Sequence, residues 1–178
     1  VCEISSINEI IISEEQLKKR IKELGTQITA DYYDKNLMII GVLKGCFVFM
    51  ADLVREINLP CKIDFMYVSS YNKGTVSSGR VQIVKDLTVD IAGCDVLIVE
   101  DILDTGLTLE SLCKILAVRN PASIKICTLL DKPARRKSDV YPDYTGFEIE
   151  DKFVVGYGLD YDQEYRNLPY IGIYTPST

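Results

Sequence analysis

Three continuous apolar runs stand out along the chain, LMIIGVL at 37–43, DVLIVE at 95–100 and IKICTLL at 124–130, each bounded by polar residues. Short unbroken runs of this kind suit strands covered on both faces, the environment of a parallel sheet. Between them lie segments with helical spacing: CFVFMADLVREI follows the first run and LTLESLCKILAVRN the second. Strand alternating with helix predicts an α/β fold, an open parallel sheet flanked by helices. Upstream, ISEEQLKKRIKELGTQI opens at Ser13, an N-cap that makes a capping box with Gln16, and Ile12 is placed to staple onto Leu17. Leu17, Ile21, Leu24 and Ile28 recur at helical intervals and form one apolar face.

Two segments break this rhythm. Residues 61–71 and 80–85 read as strands joined by the Gly/Ser-rich stretch NKGTVSSG, which predicts a hairpin carrying a mobile lid loop. From Asp131 onward the chain holds four of its six prolines and many tyrosines, predicting a small irregular hood subdomain. No repeat, low-complexity tract or linker divides the 178 residues. One domain over 1–178 is expected, with its core at about 35–131 and its hood built from the N-terminal residues and about 132–178.

Charge and residue usage narrow the chemistry. Twenty Lys and Arg against 26 Asp and Glu give a formal charge of -6, which repels a phosphate backbone and argues against a nucleic-acid partner. Any phosphate must then be held by local donors such as a helix N-terminus or a glycine turn. The six cysteines, at 2, 46, 61, 94, 113 and 127, form no CxxC pair and sit mostly among apolar neighbours, so they read as small core residues of a reducing compartment. The chain contains no His, which removes the commonest general base and transition-metal ligand. Carboxylates, Lys, Arg and Mg²⁺ remain. No apolar run approaches the ~20 residues of a membrane span and no signal-type N-terminus is evident, so a cytoplasmic protein is expected.

The most informative string is VEDILDTGLTL at 99–109. It sets Glu100 and Asp101 at the end of an apolar strand, where open α/β sheets bind their ligands. The turn Asp104-Thr105-Gly106-Leu107-Thr108 then lies at a helix N-terminus, where successive N–H groups, a small glycine and two Thr hydroxyls can cradle a phosphate without any Lys. Taken singly, each acid could be a solvated turn residue and Asp104 a plain N-cap. Their combination after one strand favours a site, and it is not a Walker loop, since GxxxxGK[ST] is absent.

This string resembles the phosphoribosyl diphosphate motif of the type I phosphoribosyltransferases. GVLKGCFVFMADL, SSY, LLDKPARR, DKFVVGYGLDY and YRNLPYIG look like the corresponding stretches of the hypoxanthine-guanine phosphoribosyltransferases, so the resemblance extends over most of the chain. It implies a phosphoribosyltransferase-like core and a Mg²⁺-dependent transfer of the 5-phosphoribosyl group from phosphoribosyl diphosphate to N9 of hypoxanthine or guanine. IMP or GMP and pyrophosphate are the implied products, with xanthine as a further possible base.

The resemblance also implies roles residue by residue. Asp104 to Thr108 hold the 5′-phosphate, Glu100 and Asp101 meet the ribose hydroxyls or the Mg²⁺, and Asp104 moves the purine N7 proton. Lys132 donates to the 6-oxo group, Phe153 stacks on the purine and the Val154 backbone reads its edge. Asp160 matches the family's second metal-binding carboxylate and is placed on the purine side. Lys44 and Gly45 bind pyrophosphate through a turn with an unusual cis peptide, together with Arg166. Ser70 and Tyr71 open the lid loop. A homodimer or homotetramer is implied as well.

Two other classes compete with the enzyme. A non-catalytic regulator of the same fold would sense phosphoribosyl diphosphate or nucleotide, but the chain shows neither a basic face nor an added DNA-binding helix pair. A receiver-like domain would draw its acids from separate strands, whereas all three acids here fall within five residues.

Overall fold

The computed structural model describes residues 7–70 and 81–175. β1 (Ile7–Ile12) leads into α1 (Glu14–Asp31), followed by β2 (Leu37–Leu43), α2 (Phe47–Glu56), β3 (Lys62–Ser70) and β4 (Val81–Lys85). The second half contains β5 (Asp95–Leu103), α3 (Leu107–Ala117), β6 (Ser123–Asp131), β7 (Tyr144–Glu148), β8 (Val154–Val155) and β9 (Ile171–Tyr174), with a 3₁₀ turn at Pro133–Arg135.

The three apolar runs become β2, β5 and β6, neighbours at the centre of a six-stranded sheet of order β4-β3-β2-β5-β6-β7. Five strands are parallel, and β4 runs antiparallel to β3 at one edge. Alternate side chains of a strand point to opposite faces, so runs without polar interruption need cover on both. Leu37, Ile39, Leu97 and Val99 enter one core, closed by Leu17, Ile21, Leu24 and Ile28 of α1 and Phe49, Met50 and Leu53 of α2. Met38, Ile40, Val42, Val96 and Ile98 enter the other, closed by Leu109, Leu112 and Leu116 of α3. The capping box is present: the Gln16 N–H donates to Ser13 Oγ at 3.2 Å and the Ser13 N–H to Gln16 Oε1 at 2.8 Å. Cys46, Cys94 and Cys127 are buried, Cys61 and Cys113 partly so, and all five are free thiols. Burial pushes the thiols of Cys46, Cys61, Cys113 and Cys127 up, which makes them inert packing groups.

β1, β9 and β8 form a second, antiparallel sheet whose Ile12, Val154 and Ile171 join the first core. The N-terminal and C-terminal segments thus meet, but two features differ from expectation. The hood is a regular three-stranded sheet, and residues 144–148, expected within it, supply β7 of the main sheet beyond the expected limit at 131. β7 reads YTGFE, short and with Gly146 at its centre, which looks like a turn in sequence. Its place is decided by pairing with β6 and by Arg20 of α1, which donates to the Thr145 and Gly146 carbonyls at 2.8 and 3.0 Å. β5 also runs past its expected end at Glu100 to Leu103, paired with β6 as far as Asp131. Ser70 ends β3; Tyr71 and the rest of the expected lid to residue 80 lie outside the described residues.

The winding of the sheet locates the crevice. β2 is followed by its neighbour β3 on one side and β5 by β6 on the other, while α2 and α3 pack on opposite faces. The direction of winding therefore reverses between β2 and β5. The loops leaving these two strands diverge and open a cleft at their C-terminal ends.

Candidate active site

A cleft of about 310 Å³ lies at this switch point. Lys44 and Gly45 line it from the end of β2, Glu100 and Asp101 from β5, Asp104, Thr105, Gly106 and Thr108 from the turn into α3, and Asp160 and Arg166 from the loop between β8 and β9. Ten residues singled out from the sequence thus converge in one place. Leu107, expected in the phosphate turn, is the first residue of α3 and does not line the cleft.

The turn into α3 has the form an anion site requires. Gly106 is the N-cap, with φ +79°, a left-handed conformation that glycine adopts without penalty. The first N–H groups of a helix lack partners within it and carry the positive end of its dipole. α3 therefore presents its N-terminus to the cleft, beside the hydroxyl-bearing Thr105 and Thr108.

Glu100 and Asp101 are adjacent residues deep in the same cleft. Burial pushes both carboxyls up, and the neighbouring Asp101 pushes Glu100 further. Two acids in this setting can accept hydrogen bonds from hydroxyl groups or face a cation. Gly45 packs against this pair, since a β-carbon there would overlap Asp101 Oδ2. The preceding Leu43–Lys44 bond is a cis peptide, the form the resemblance implied.

The opposite wall is knit together by its own bonds. Arg166 donates to the Gly158 carbonyl at 2.7 Å and pairs with Asp160 at 2.8 Å, while the Gln163 N–H donates to Asp160 at 2.9 Å. Lys44 Nζ reaches across to Gln163 Oε1 at 3.0 Å. Among the described residues no three acidic, Cys or His side chains gather to hold a metal, so Asp160 does not share a cluster with Glu100 and Asp101.

Lys132, Phe153 and Val154 form an adjoining group beyond the end of β6. Lys132 is buried, in contrast to the solvent-facing Lys that its place after a strand suggests, and its Nζ donates to the Lys152 carbonyl at 2.6 Å. Phe153 is 54% exposed, with Tyr161 and Tyr174 edge-on at 5.9 and 6.0 Å. Val154 lies on β8, an edge strand, opposite Ile173. The flanking bond from the Tyr174 N–H to the Phe153 carbonyl makes 154/173 a pair without mutual hydrogen bonds, so the Val154 backbone groups face away from β9.

Arg135 and Asp151 were not singled out from the sequence, yet they connect the two groups. Arg135 donates to Asp104 at 2.7 Å and to Asp151 at 3.2 Å, and Asp151 lies 3.6 Å from Lys132 Nζ. The only signal available was the basic pair in LLDKPARR, next to a Lys already singled out.

With this geometry in view, comparison with known proteins decides the family. A phosphoribosyl transferase domain model matches residues 9–162. The chain belongs to the phosphoribosyltransferase family. It is similar to a hypoxanthine-guanine phosphoribosyltransferase of Bacillus subtilis (strain 168), 54% identical over 96% of this chain and 95% of that protein. A hypoxanthine phosphoribosyltransferase of Haemophilus influenzae is 56% identical over 92% and 93%. Among solved structures, a hypoxanthine phosphoribosyltransferase from Staphylococcus aureus superposes with a TM-score of 0.94 at 52% identity, covering 97% of this chain and 94% of that one. The mixed sheet flanked by helices agrees with this family's fold.

Proposed function

We propose that the protein is a purine-salvage transferase that moves the 5-phosphoribosyl group of phosphoribosyl diphosphate to N9 of hypoxanthine or guanine, releasing pyrophosphate and IMP or GMP. The observation that carries this reading is the meeting of the Asp104–Thr108 turn and the Glu100–Asp101 pair in one cleft. A phosphate cradle beside two acids suits a ribose whose 5′-phosphate and hydroxyl pair are held a few ångströms apart.

In this reading the N-terminus of α3 binds the 5′-phosphate and Glu100 and Asp101 accept from the ribose hydroxyls. Lys44, Gly45 and Arg166 hold the pyrophosphate. Phe153 stacks on the base, Val154 offers backbone groups to its edge, and Lys132 donates to the 6-oxo oxygen. An ammonium has only donors, so it favours a 6-oxo purine over a 6-amino one. Positioning and electrostatics supply most of the rate, as the anomeric carbon gains positive charge when pyrophosphate departs. Asp104 takes the proton from N7 as N9 bonds to carbon.

A divalent metal fits the donors present. Glu100 and Asp101 on one wall of the cleft and Asp160 on the facing wall offer hard carboxylate oxygens that would reach a metal together with substrate oxygens. The half-buried Glu100–Asp101 pair, both carboxyls pushed up, gains from a cation beside it. We assign Mg²⁺, which supplies charge neutralisation of the departing pyrophosphate when bound. The chain functions as one domain in the cytoplasm as a dimer or tetramer; no helix of the described residues is long and apolar enough to cross a membrane.

Titration calorimetry with phosphoribosyl diphosphate, with and without Mg²⁺, tests the site. Metal-dependent binding that Asp101→Asn weakens is expected. Binding indifferent to both would remove the cleft from this role.

A further inference from the structure

We propose that Ser138 is a positioning residue for the 5′-phosphate, acting through the Thr105–Gly106 peptide. It has no place in the roles assigned above, and it lies on the segment after the 3₁₀ turn, behind the phosphate turn and outside the residues lining the cleft. The Ser138 hydroxyl donates to the Thr105 carbonyl at 3.3 Å, and the Lys137 N–H donates to the same oxygen at 2.9 Å.

The consequence follows from peptide geometry. The Thr105–Gly106 bond is trans, since Leu43–Lys44 is the cis bond among the described residues. A trans peptide holds its C=O and N–H on opposite sides of one rigid plane. With the Thr105 oxygen fixed by two donors from behind, the Gly106 N–H is directed forward, to the side where Thr105, Gly106 and Thr108 line the cleft. A free turn would have to find this orientation each time an anion bound. Here it is set in advance, which lowers the cost of binding.

The packing supports the same role. A β-carbon on Gly106 would collide with Ser138 Oγ, so the hydroxyl occupies the space directly behind the turn. Arg136 Cδ is 3.1 Å from that point. Its guanidinium pairs with Asp131, is 7% exposed, and has Nε and Nη1 buried without partners. The Asp131 carboxylate balances that charge, so Arg136 meets the turn through its aliphatic stem. Segment 136–138 therefore backs the turn with a hydroxyl and a backbone donor.

This inference rests on the reading of Asp104–Thr108 as the 5′-phosphate cradle, so the test includes a residue of the cradle itself. Ribose 5-phosphate binding would be measured by calorimetry for the wild type, Ser138→Ala, Ser138→Thr and Thr108→Ala, alongside KM for phosphoribosyl diphosphate and for hypoxanthine. Ser138→Ala is expected to weaken ribose 5-phosphate and raise KM for phosphoribosyl diphosphate about three- to tenfold, with KM for hypoxanthine within about twofold. Ser138→Thr, which keeps the hydroxyl, restores most of the loss. Unchanged ribose 5-phosphate binding in Ser138→Ala, with Thr108→Ala weakened, overturns the inference alone. If neither variant weakens it, the cradle assignment fails and the inference with it. Equal losses for both substrates would show a general structural role and overturn it as well.

Discussion

Gly45 and Asp101 are packed so closely that no side chain fits between them: a β-carbon on Gly45 would overlap the Asp101 carboxylate. The end of β2 and the acid pair of β5 are thereby locked to each other across the switch point of the sheet. The turn proposed to meet pyrophosphate and the acid pair proposed to meet ribose are thus in direct contact.

Gly45→Ala must therefore displace either the Lys44–Gly45 turn or Asp101. Overpacking of this kind costs about 1–3 kcal/mol of stability. A shift of even ~1 Å in a positioning group can cost about 100-fold in rate. Thermal unfolding with steady-state kinetics is expected to show a modest fall in Tm and a loss of kcat/KM near that size.

Asp104→Asn preserves the side-chain size at the start of the turn and removes the carboxylate proposed to accept the N7 proton. kcat is expected to fall by about 10²- to 10⁴-fold, with KM for phosphoribosyl diphosphate changed only a few-fold. Steady-state kinetics decides it, and unchanged kcat would take Asp104 out of proton transfer. Arg135→Ala removes the exposed partner of Asp104. Exposed pairs contribute little, so its effect on Tm is expected to be small.

Lys132→Met retains the buried stem and deletes the donor. Loss of one charge-assisted hydrogen bond predicts a rise of roughly 10- to 100-fold in KM for hypoxanthine, with KM for phosphoribosyl diphosphate little altered. Comparable rises for both substrates would place Lys132 in the scaffold rather than against the base.

Away from the cleft, Asp64 of β3 governs an acid limb of stability. It is 7% exposed, and burial alone would raise its carboxyl. The Thr88 and Phe65 N–H groups, the Thr88 hydroxyl and Lys85 outweigh burial and hold it at about 2. A carboxyl depressed on folding stabilises the protein above its unfolded pKa, and the gain is lost as pH falls toward the folded one. Its contribution is on the order of 2 kcal/mol at neutral pH and disappears between about pH 4 and pH 2. Urea unfolding across that range should show Asp64→Asn less stable than wild type at pH 7 and the difference closing toward pH 2.

Much of this molecule can be read from its sequence because its central strands are apolar on both faces. LMIIGVL, DVLIVE and IKICTLL carry the pattern that a doubly covered sheet imposes, and Ser13 with Gln16 marks the start of α1 locally. β7 could not be read, because YTGFE owes its place to pairing with β6 and to Arg20 rather than to its own composition. The hood strands β1, β8 and β9 are short and pair across most of the chain, so no local signal joins them. The acid pair and the turn proposed to cradle phosphate were legible because nine contiguous residues, 100–108, carry them. Arg135, Asp151 and Ser138 were not, because they meet Asp104, Lys132 and Thr105 only when β5 and β6 lie side by side.

The most direct test of the account is turnover of phosphoribosyl diphosphate and Mg²⁺ with hypoxanthine, guanine and adenine offered separately, followed spectrophotometrically. Conversion of hypoxanthine and guanine but not adenine, abolished by leaving out the metal, is predicted. Binding of phosphoribosyl diphosphate without conversion of any base would contradict it and leave the acid-rimmed cleft as a sensor.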